Sequence, residues 1–416
     1  GYDCPHDADK VSENNGVYTC TTCNLQMVAE VTKEGVTTYD TDLAAAMNNA
    51  ADDTTVKLLK DTAEELQIRV KVIGGKTLTL DMNGHTINYA GFSVSDTHEQ
   101  RPNKLKIIGT GSFLGEYTPI LVWEQGSLDL SGWTGGTIKR VSLGYSVQSA
   151  VDEPGLIVGA DAGRIDELVF QNWMVSNINK TTLHGGSYGK IDSDSNASET
   201  MPLANLLPDG YAFRHNTEGD KSLVARADAN KSISNVSVVL CPHGGDAAGT
   251  DGDYKCAYCN TAVTAKISRG GATAYYPTLT EALTHATDGD TVTLLAAASG
   301  SYTVAKAITL DLNGFNIEEV TCSDAGVKIQ DSGAETKGKI AKLTVSSGQL
   351  KDLLPAGHGF QKAGTTTWAM ESELNGTTIS DVSVKQAPIE SLSVAITNGT
   401  VTYGYEEANA PSMTAT

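Results

Sequence analysis

Apolar and polar residues alternate along most of the chain in runs of four to six residues. The runs at 55–59 and 291–295 are two examples, and Gly, Asn and Asp are frequent between such runs. A period of two, interrupted by turn-forming residues, is typical of short β-strands. The pattern therefore predicts a β-rich protein in which each strand is too short to be stable alone.

Only two stretches have helical spacing. Apolar side chains recur three and four positions apart in residues 41–50 and again in residues 277–287. This spacing predicts one short amphipathic helix in each stretch. Asp42 or Thr41 is the expected N-cap of the first helix, and Thr278 that of the second.

The chain contains two copies of one pattern. Cys-Pro-His at 4–6 returns at 241–243, and the Asn-Gly turn segment at 78–84 returns at 308–314. Later segments of the two copies match at a much smaller difference in residue number, so the first copy contains residues that the second lacks. The extra chain lies at about 97–160 and 171–205.

The order of a short helix, an Asp-rich turn, a strand and an Asn-Gly turn resembles right-handed parallel β-helices of the pectin-lyase-like type. The resemblance implies that each helix covers the open N-terminal end of a solenoid, where sheet edges would otherwise be exposed. We therefore expect an all-β fold of tandem right-handed parallel β-helices (β-solenoids). Each would have a short N-terminal capping helix and a small zinc-knuckle-like module.

A third kind of domain is expected at the end of the chain. The alternating runs 391–396 and 400–405 fit neither copy and resemble the opening strands of an immunoglobulin-like domain. The predicted organisation is a metal module at 1–30, a β-helix at 31–240, a metal module at 241–266, a β-helix at 267–387 and the start of a further β-domain at 388–416.

Six of the seven cysteines occur in two matching motifs, each Cys-x-His followed by Cys-x-x-Cys. Three thiolates and one imidazole complete a tetrahedral zinc site, and Cys-x-x-Cys is the knuckle spacing. Because no ligand position is left open, the expected role is structural, with two zinc ions per chain. The predicted ligands are Cys4, His6, Cys20 and Cys23 in the first module and Cys241, His243, Cys256 and Cys259 in the second.

A disulfide plus a free thiol in each motif is the alternative to zinc, because the composition suggests an extracellular setting where disulfides persist. This alternative leaves the recurring histidines without a role. Cys322 stands alone in the sequence. We expect it to be a buried free thiol.

The chain has 30 Lys and Arg against 50 Asp and Glu, a formal net charge of −20. An acidic chain without a basic stripe argues against nucleic acid and anionic membranes as partners. No apolar run approaches the roughly 18 residues that span a bilayer. The chain begins with Gly1 rather than Met, and we expect it to be a segment of a longer protein that is monomeric as a segment.

Catalysis has to be considered because many β-helices of this type are polysaccharide lyases or glycoside hydrolases. A lyase needs a base beside a carboxylate cluster, and a hydrolase needs a carboxylate pair. In the second copy Lys339 matches Arg164, and Ala341-Lys342 matches Asp166-Glu167, so the carboxylates are not repeated and we expect these charges to lie on a solvated face. His85 is matched by Phe315, so we expect it to be a packing residue rather than a base. The candidates are Asp152, Glu153, Asp161, Arg164, Asp166 and Glu167.

The acidic tandem, rich in Thr, Ser, Asn and Gly, also resembles cell-surface proteins of Gram-positive gut bacteria. The resemblance implies a non-catalytic adhesin, secreted or attached to the cell wall, whose partner is a host glycan, mucin, glycoprotein or immunoglobulin. A purely structural surface stalk is a further alternative. Insertions in solenoids often emerge on one binding face, so the first copy would carry the ligand surface. The candidate ligand residues are Trp123, Trp133, Tyr145, Trp173 and Tyr188.

Overall fold

The structure is a computed structural model. It describes residues 4–62, 70–88, 91–95, 102–115, 120–123, 126–144, 155–171, 180–193, 202–387, 389–397, 400–407 and 413–415. The chain divides into two compact units, Gly1–Cys241 and Pro242–Thr416. Each unit contains two sheets whose middle strands are parallel, and the strands alternate between the two sheets along the chain. The predicted all-β solenoid fold is thus confirmed.

The first unit contains an eight-stranded sheet with six parallel strands and a ten-stranded sheet with eight, and these parallel strands form the solenoid. Its strands are β1 (Val11–Asn14), β2 (Val17–Cys20), β3 (Ala29–Lys33), β4 (Val36–Asp40), β5 (Thr54–Leu58), β6 (Val70–Val72), β7 (Thr77–Asp81), β8 (Thr86–Ile87), β9 (Phe92–Val94), β10 (Asn103–Gly109), β11 (Ser112–Phe113), β12 (Ile120–Val122), β13 (Gly126–Trp133), β14 (Thr137–Leu143), β15 (Gly155–Val158), β16 (Arg164–Phe170), β17 (Thr181–Leu183), β18 (Ser187–Ser193), β19 (Tyr211–His215) and β20 (Ser232–Leu240).

The second unit repeats this plan with three parallel strands in each of two five-stranded sheets. Its strands are β21 (Ala247–Ala248), β22 (Lys255–Cys256), β23 (Ala265–Arg269), β24 (Ala272–Tyr276), β25 (Thr291–Leu294), β26 (Ala298–Val304), β27 (Thr309–Asp311), β28 (Ile317–Cys322), β29 (Lys328–Gln330), β30 (Ile340–Val345), β31 (His358–Lys362), β32 (Thr378–Gln386), β33 (Ile389–Thr397), β34 (Thr400–Glu407) and β35 (Met413–Ala415).

In each unit antiparallel strands flank the parallel ones. In the first unit β3 pairs antiparallel with both β4 and β5, and β20 pairs antiparallel with both β18 and β19. In the second unit β23 and β32 occupy the same places. The flanking strands satisfy backbone groups at the ends of the parallel stacks that would otherwise invite pairing with another chain.

The two predicted helices are present as α1 (Leu43–Asn49) and α2 (Leu279–His285). The Asp42 side chain accepts from the Ala45 backbone N–H at 2.7 Å, so Asp42 rather than Thr41 is the N-cap of α1. The Thr278 hydroxyl accepts from the Glu281 backbone N–H at 3.1 Å, as expected for the N-cap of α2. Both helices bury an apolar face. The sequence pattern did not predict the third helix, α3 (Glu371–Leu374), or the short 3-10 helices at Ala8–Lys10, Leu203–Leu206, Arg226–Asp228 and Leu350–Leu353.

The Asn-Gly turns join successive strands as predicted. Asn83 and Gly84 have φ of 46° and 82°, and Asn313 and Gly314 have 47° and 81°, which is the left-handed region that these two residue types tolerate best. Each asparagine amide also donates to a carbonyl one solenoid turn earlier, at 2.9 Å in the first unit and 3.1 Å in the second. These Asn-Gly turns thus fix the register between neighbouring coils of the solenoid.

The extra chain of the first copy forms additional solenoid turns, since β10 to β15 lie in its first part and β17 and β18 in its second. Their inward side chains continue one apolar core, which includes Trp133 and Tyr188. The two strands predicted after residue 388 are also present, as the antiparallel pair β33 and β34. Among the described residues, no helix has the length and apolarity needed to cross a membrane.

Candidate functional site

The first cysteine motif folds into a small hairpin that brings its ligand atoms together. Cys20 ends β2, and the chain then turns so that the Asn24 N–H donates to the Cys20 carbonyl at 2.9 Å. Asn24 has φ of 60°, which lets the Cys-x-x-Cys segment close so tightly. The second motif repeats the turn, with Asn260 at φ 62° and its N–H on the Cys256 carbonyl at 3.0 Å.

The ligand atoms of Cys4, His6, Cys20 and Cys23 all lie within 4.8 Å of one another. The Sγ atoms of Cys4 and Cys20 are 3.6 Å apart, and Cys23 Sγ is 3.4 Å from His6 Nε2. Tetrahedral zinc with its usual bond lengths would place two sulfurs about 3.8 Å apart and a sulfur about 3.6 Å from a nitrogen. A disulfide would need a sulfur separation of about 2.05 Å. The geometry fits a metal ligand set.

The electrostatics of this cluster also favour a cation. Burial raises the pKa of the Cys4 thiol to about 12, and hydrogen bonds with the other two thiols raise it further. The backbone N–H of Cys23 is the main cause that lowers the pKa of Cys20 to about 7. The Cys20 thiol therefore ionises far more readily than that of Cys4. A divalent ion would stabilise all three thiolates together.

The cluster is partly shielded by a small apolar core of its own. Cys20, Met27 and Leu59 are buried together, and the rings of Tyr18 and Tyr39 pack at their edge with centroids 5.9 Å apart. Apolar surroundings limit the access of water and competing ligands to a metal. The module therefore resembles a folded metal-binding hairpin rather than an exposed cysteine loop.

In the second motif the sulfur atoms of Cys241, Cys256 and Cys259 lie within 4.8 Å of one another, and all three residues are buried. The fourth predicted ligand, His243, does not join this group. Its Nδ1 lies 3.5 Å from a carboxylate oxygen of Glu281, while its Nε2 is buried and has no hydrogen-bond partner among the described residues. The structure thus brings three of the four predicted ligands together and leaves the histidine nitrogen that could complete the set without a partner.

Cys322 lies on β28 and is fully buried in the core of the second unit. Burial raises its pKa to about 12. A thiol in that environment is protonated and unreactive at neutral pH. The prediction of a buried free cysteine is confirmed.

The candidate catalytic carboxylates are paired with cations. Asp166 accepts from Arg164 Nε at 2.6 Å and lies 3.6 Å from Lys139 Nζ, and Glu167 lies 3.6 Å from Arg140. These side chains lie on the outer face of the sheet, as the sequence predicts. Asp161 is exposed, and Asp152 and Glu153 lie outside the described residues.

His85 also has an acidic partner. Its Nδ1 lies 3.1 Å from an oxygen of Asp61, which itself accepts the backbone N–H of Thr86 at 2.9 Å. These contacts fasten a turn between successive strands. The packing role expected for His85 is therefore replaced by a polar contact at the surface of the solenoid.

A polar groove lies on the ten-stranded sheet of the first unit. Arg140 of β14, Glu167 of β16 and Lys190 of β18 occupy the same register position on three neighbouring parallel strands. With Val169, Gln171 and Asp192 they line a cavity of about 250 Å³. Lys190 and Asp192 form an ion pair at 2.5 Å. We call this surface the charged groove.

Trp123 lies beside the charged groove. A Cβ atom at Gly144 would lie 3.2 Å from the Trp123 ring and 3.2 Å from the Gln171 side-chain oxygen, so both side chains converge on the glycine. Trp123 is partly exposed. Among the predicted ligand residues that the structure describes, Trp123 is the one that lies at this surface.

The prediction that Trp133 and Tyr188 bind a ligand is wrong, because both are fully buried. The Trp133 indole N–H donates to the Gly111 carbonyl at 2.9 Å, and the Tyr188 hydroxyl donates to the Gly185 carbonyl at 2.9 Å. Both side chains fill solenoid turns and have their polar atoms satisfied inside. Tyr145 and Trp173 lie outside the described residues.

Comparison with known proteins adds no relative to these observations. No family model matches the chain, and the searches of the curated proteins and of the solved structures found no significant match. The fold and the two sites described above therefore carry the functional argument by themselves.

Proposed function

We propose that each cysteine motif holds one structural zinc ion and that His243 completes the second centre. The donor set of thiolates and imidazole suits zinc better than the oxygen-seeking calcium or magnesium. The sulfur and nitrogen separations in the first cluster support this proposal, since they match those of a zinc centre before any rearrangement. Binding would add directly to the folding free energy of each hairpin.

The zinc proposal is tested on the full chain by elemental analysis and alkylation. We expect about two zinc ions per chain and protection of the six motif cysteines until a chelator is added. Disulfides in a peptide mass map, or reactive thiols before chelation, would contradict the proposal.

We further propose that the chain is a non-catalytic binding segment of a bacterial cell-surface or secreted protein. It would recognise a host glycan, glycoprotein or immunoglobulin through the first solenoid. The observation that supports this proposal is the charged groove with Trp123 at its side. Charged and amide groups can bind sugar hydroxyls, and an indole can cover the apolar face of a sugar ring.

The second solenoid offers an internal comparison for this proposal. On its equivalent sheet Ser301, Glu319 and Lys342 form a polar row of the same length. In it the Ser301 hydroxyl donates to Glu319 at 2.8 Å, and Lys342 pairs with the same carboxylate at 2.5 Å. Ion pairs occur in both rows, but the row of the first solenoid also has Trp123 and Gln171 beside it. We therefore assign ligand binding to the first solenoid and a spacer role to the second.

Arrays of host glycans, mucins and immunoglobulins, probed with the full chain, test this assignment. Trp123→Ala and Gln171→Ala should each weaken binding at least several-fold, whereas Lys342→Ala on the second solenoid should leave it unchanged. Binding that survives both groove substitutions would contradict the assignment. Turnover of a bound polysaccharide that is lost in Glu167→Gln would indicate an enzyme, and the absence of any ligand would favour a structural stalk.

A further inference from the structure

The two metal modules differ at the helix position that lies next to the histidine in the second module. In the second unit the Glu281 carboxylate lies 3.5 Å from His243 Nδ1, and the histidine side chain is only 18% exposed. In the first unit the matching helix position is Ala45, which has no side-chain acceptor. Ala45 and Glu281 occupy equivalent positions in the structure as well as in the sequence, because the backbone N–H of each donates to the N-cap side chain of its helix.

The two ring nitrogens of His243 are in different environments. Nδ1 faces an acceptor, which favours the tautomer with its proton on Nδ1. Nε2 is buried and has no partner among the described residues, an arrangement that is costly unless a metal or another group satisfies it. In the first module, by comparison, the ring of His6 places Nε2 3.4 Å from the Cys23 thiol.

We propose that Glu281 is a positioning residue of the second metal centre. Its carboxylate accepts a hydrogen bond from the His243 Nδ1–H, holds the ring so that Nε2 carries the free lone pair, and makes that nitrogen a stronger ligand. Carboxylates behind a metal-binding histidine act in this way and raise metal affinity by about 10- to 100-fold. The inference rests on the zinc proposal above.

The position of Glu281 also links the second centre to the solenoid. Glu281 is in the first turn of α2, whose buried residues Leu279 and Ala282 belong to the core of the second unit. A metal held by His243 would therefore stabilise the orientation of this helix through the carboxylate. The first centre lacks such a link at Ala45, so the two centres should differ in affinity.

The test is a zinc competition titration of the full chain against a chromophoric chelator. Wild type should show two classes of site, and His243→Ala identifies the class that belongs to the second centre. Glu281→Ala should weaken that class about 10-fold or more and leave the other unchanged. Glu281→Gln, which keeps an acceptor oxygen without the charge, should lie between. Thr280→Ala, an exposed neighbour on α2, is the matched control.

Cobalt substitution gives a second readout that does not depend on affinity. Glu281→Ala should alter the visible absorption of cobalt in the second centre, because the histidine ring is no longer held. Unchanged affinity and unchanged spectra in Glu281→Ala would overturn the inference while leaving the zinc proposal intact. A wild-type chain that binds no metal would overturn both.

Discussion

Asp290 lies at the end of the turn that follows α2 and is only 2% exposed. Arg269 from β23 donates to its two oxygens, Nε at 2.8 Å and Nη2 at 2.6 Å, and the Thr287 backbone N–H donates at 2.7 Å. The matching residues in the first unit are Lys33 and Thr54, and the Thr54 hydroxyl is buried without a partner among the described residues. The carboxylate is thus a feature of the second unit alone.

The hydrogen bonds from Arg269 are the main cause that lowers the pKa of Asp290 from 3.8 to about 2. Because the folded pKa lies below the unfolded one, the ionised carboxylate stabilises the fold above about pH 4, and this contribution is lost as the pH falls through 2. The shift corresponds to about 2 kcal/mol at neutral pH. Asp290→Asn should remove most of it.

Hydrogen exchange of the full chain, followed by mass spectrometry, measures this effect locally. At pH 7 the amides of β23 and β25 should exchange about 30-fold faster in Asp290→Asn, which is the equivalent of about 2 kcal/mol. The difference should shrink to a few-fold near pH 2.5. Asp288→Asn, an exposed position in the same turn, should change little. Equal effects of the two substitutions, or a difference that does not depend on pH, would refute the reasoning.

Three further predictions concern the metal, the core and the helical cap. Cys20→Ser should reduce zinc from about two ions to about one per chain by elemental analysis, while Cys322→Ser should keep both. Trp133→Ala should cost about 3–5 kcal/mol in urea denaturation of the first unit, because it empties a fully buried site; a cost below about 1 kcal/mol would contradict the packing described. Leu279→Asp places a charge in the buried face of α2 and should cause aggregation visible by light scattering, whereas Thr280→Asp on the exposed face should not.

Repetition and short-range spacing made much of the molecule predictable. The alternating runs define strands, the spacing at 41–50 and 277–287 defines helices, and the Asn-Gly pairs define turns because each signal arises within a few residues. The first metal cluster was predictable for the same reason. Cys20 and Cys23 are held by one local turn, and a hairpin a few residues long carries the remaining ligands to them.

Tertiary structure decided which face of each strand points inward. The pairing of β10 with β13 shifts register between Lys106 and Ile108. Beyond that irregularity the alternation changes by one residue, so Gly132 is partly exposed and Trp133 is buried. A one-residue shift exchanges the two faces of a strand, and composition alone does not reveal it. Trp133, which suggested a binding surface, therefore lies on the inner side of its strand.

The charged groove and the contact of Glu281 with His243 have the same origin. Arg140, Glu167 and Lys190 are more than 20 residues apart in sequence and become neighbours only through parallel pairing of β14, β16 and β18. Glu281 meets His243 only because α2 packs beside the second module. The sequence by itself determined the strand-rich pattern, the helices α1 and α2, and the ligand types. Packing of the solenoid determined which polar side chains share a surface, because that depends on the register between turns far apart in the chain.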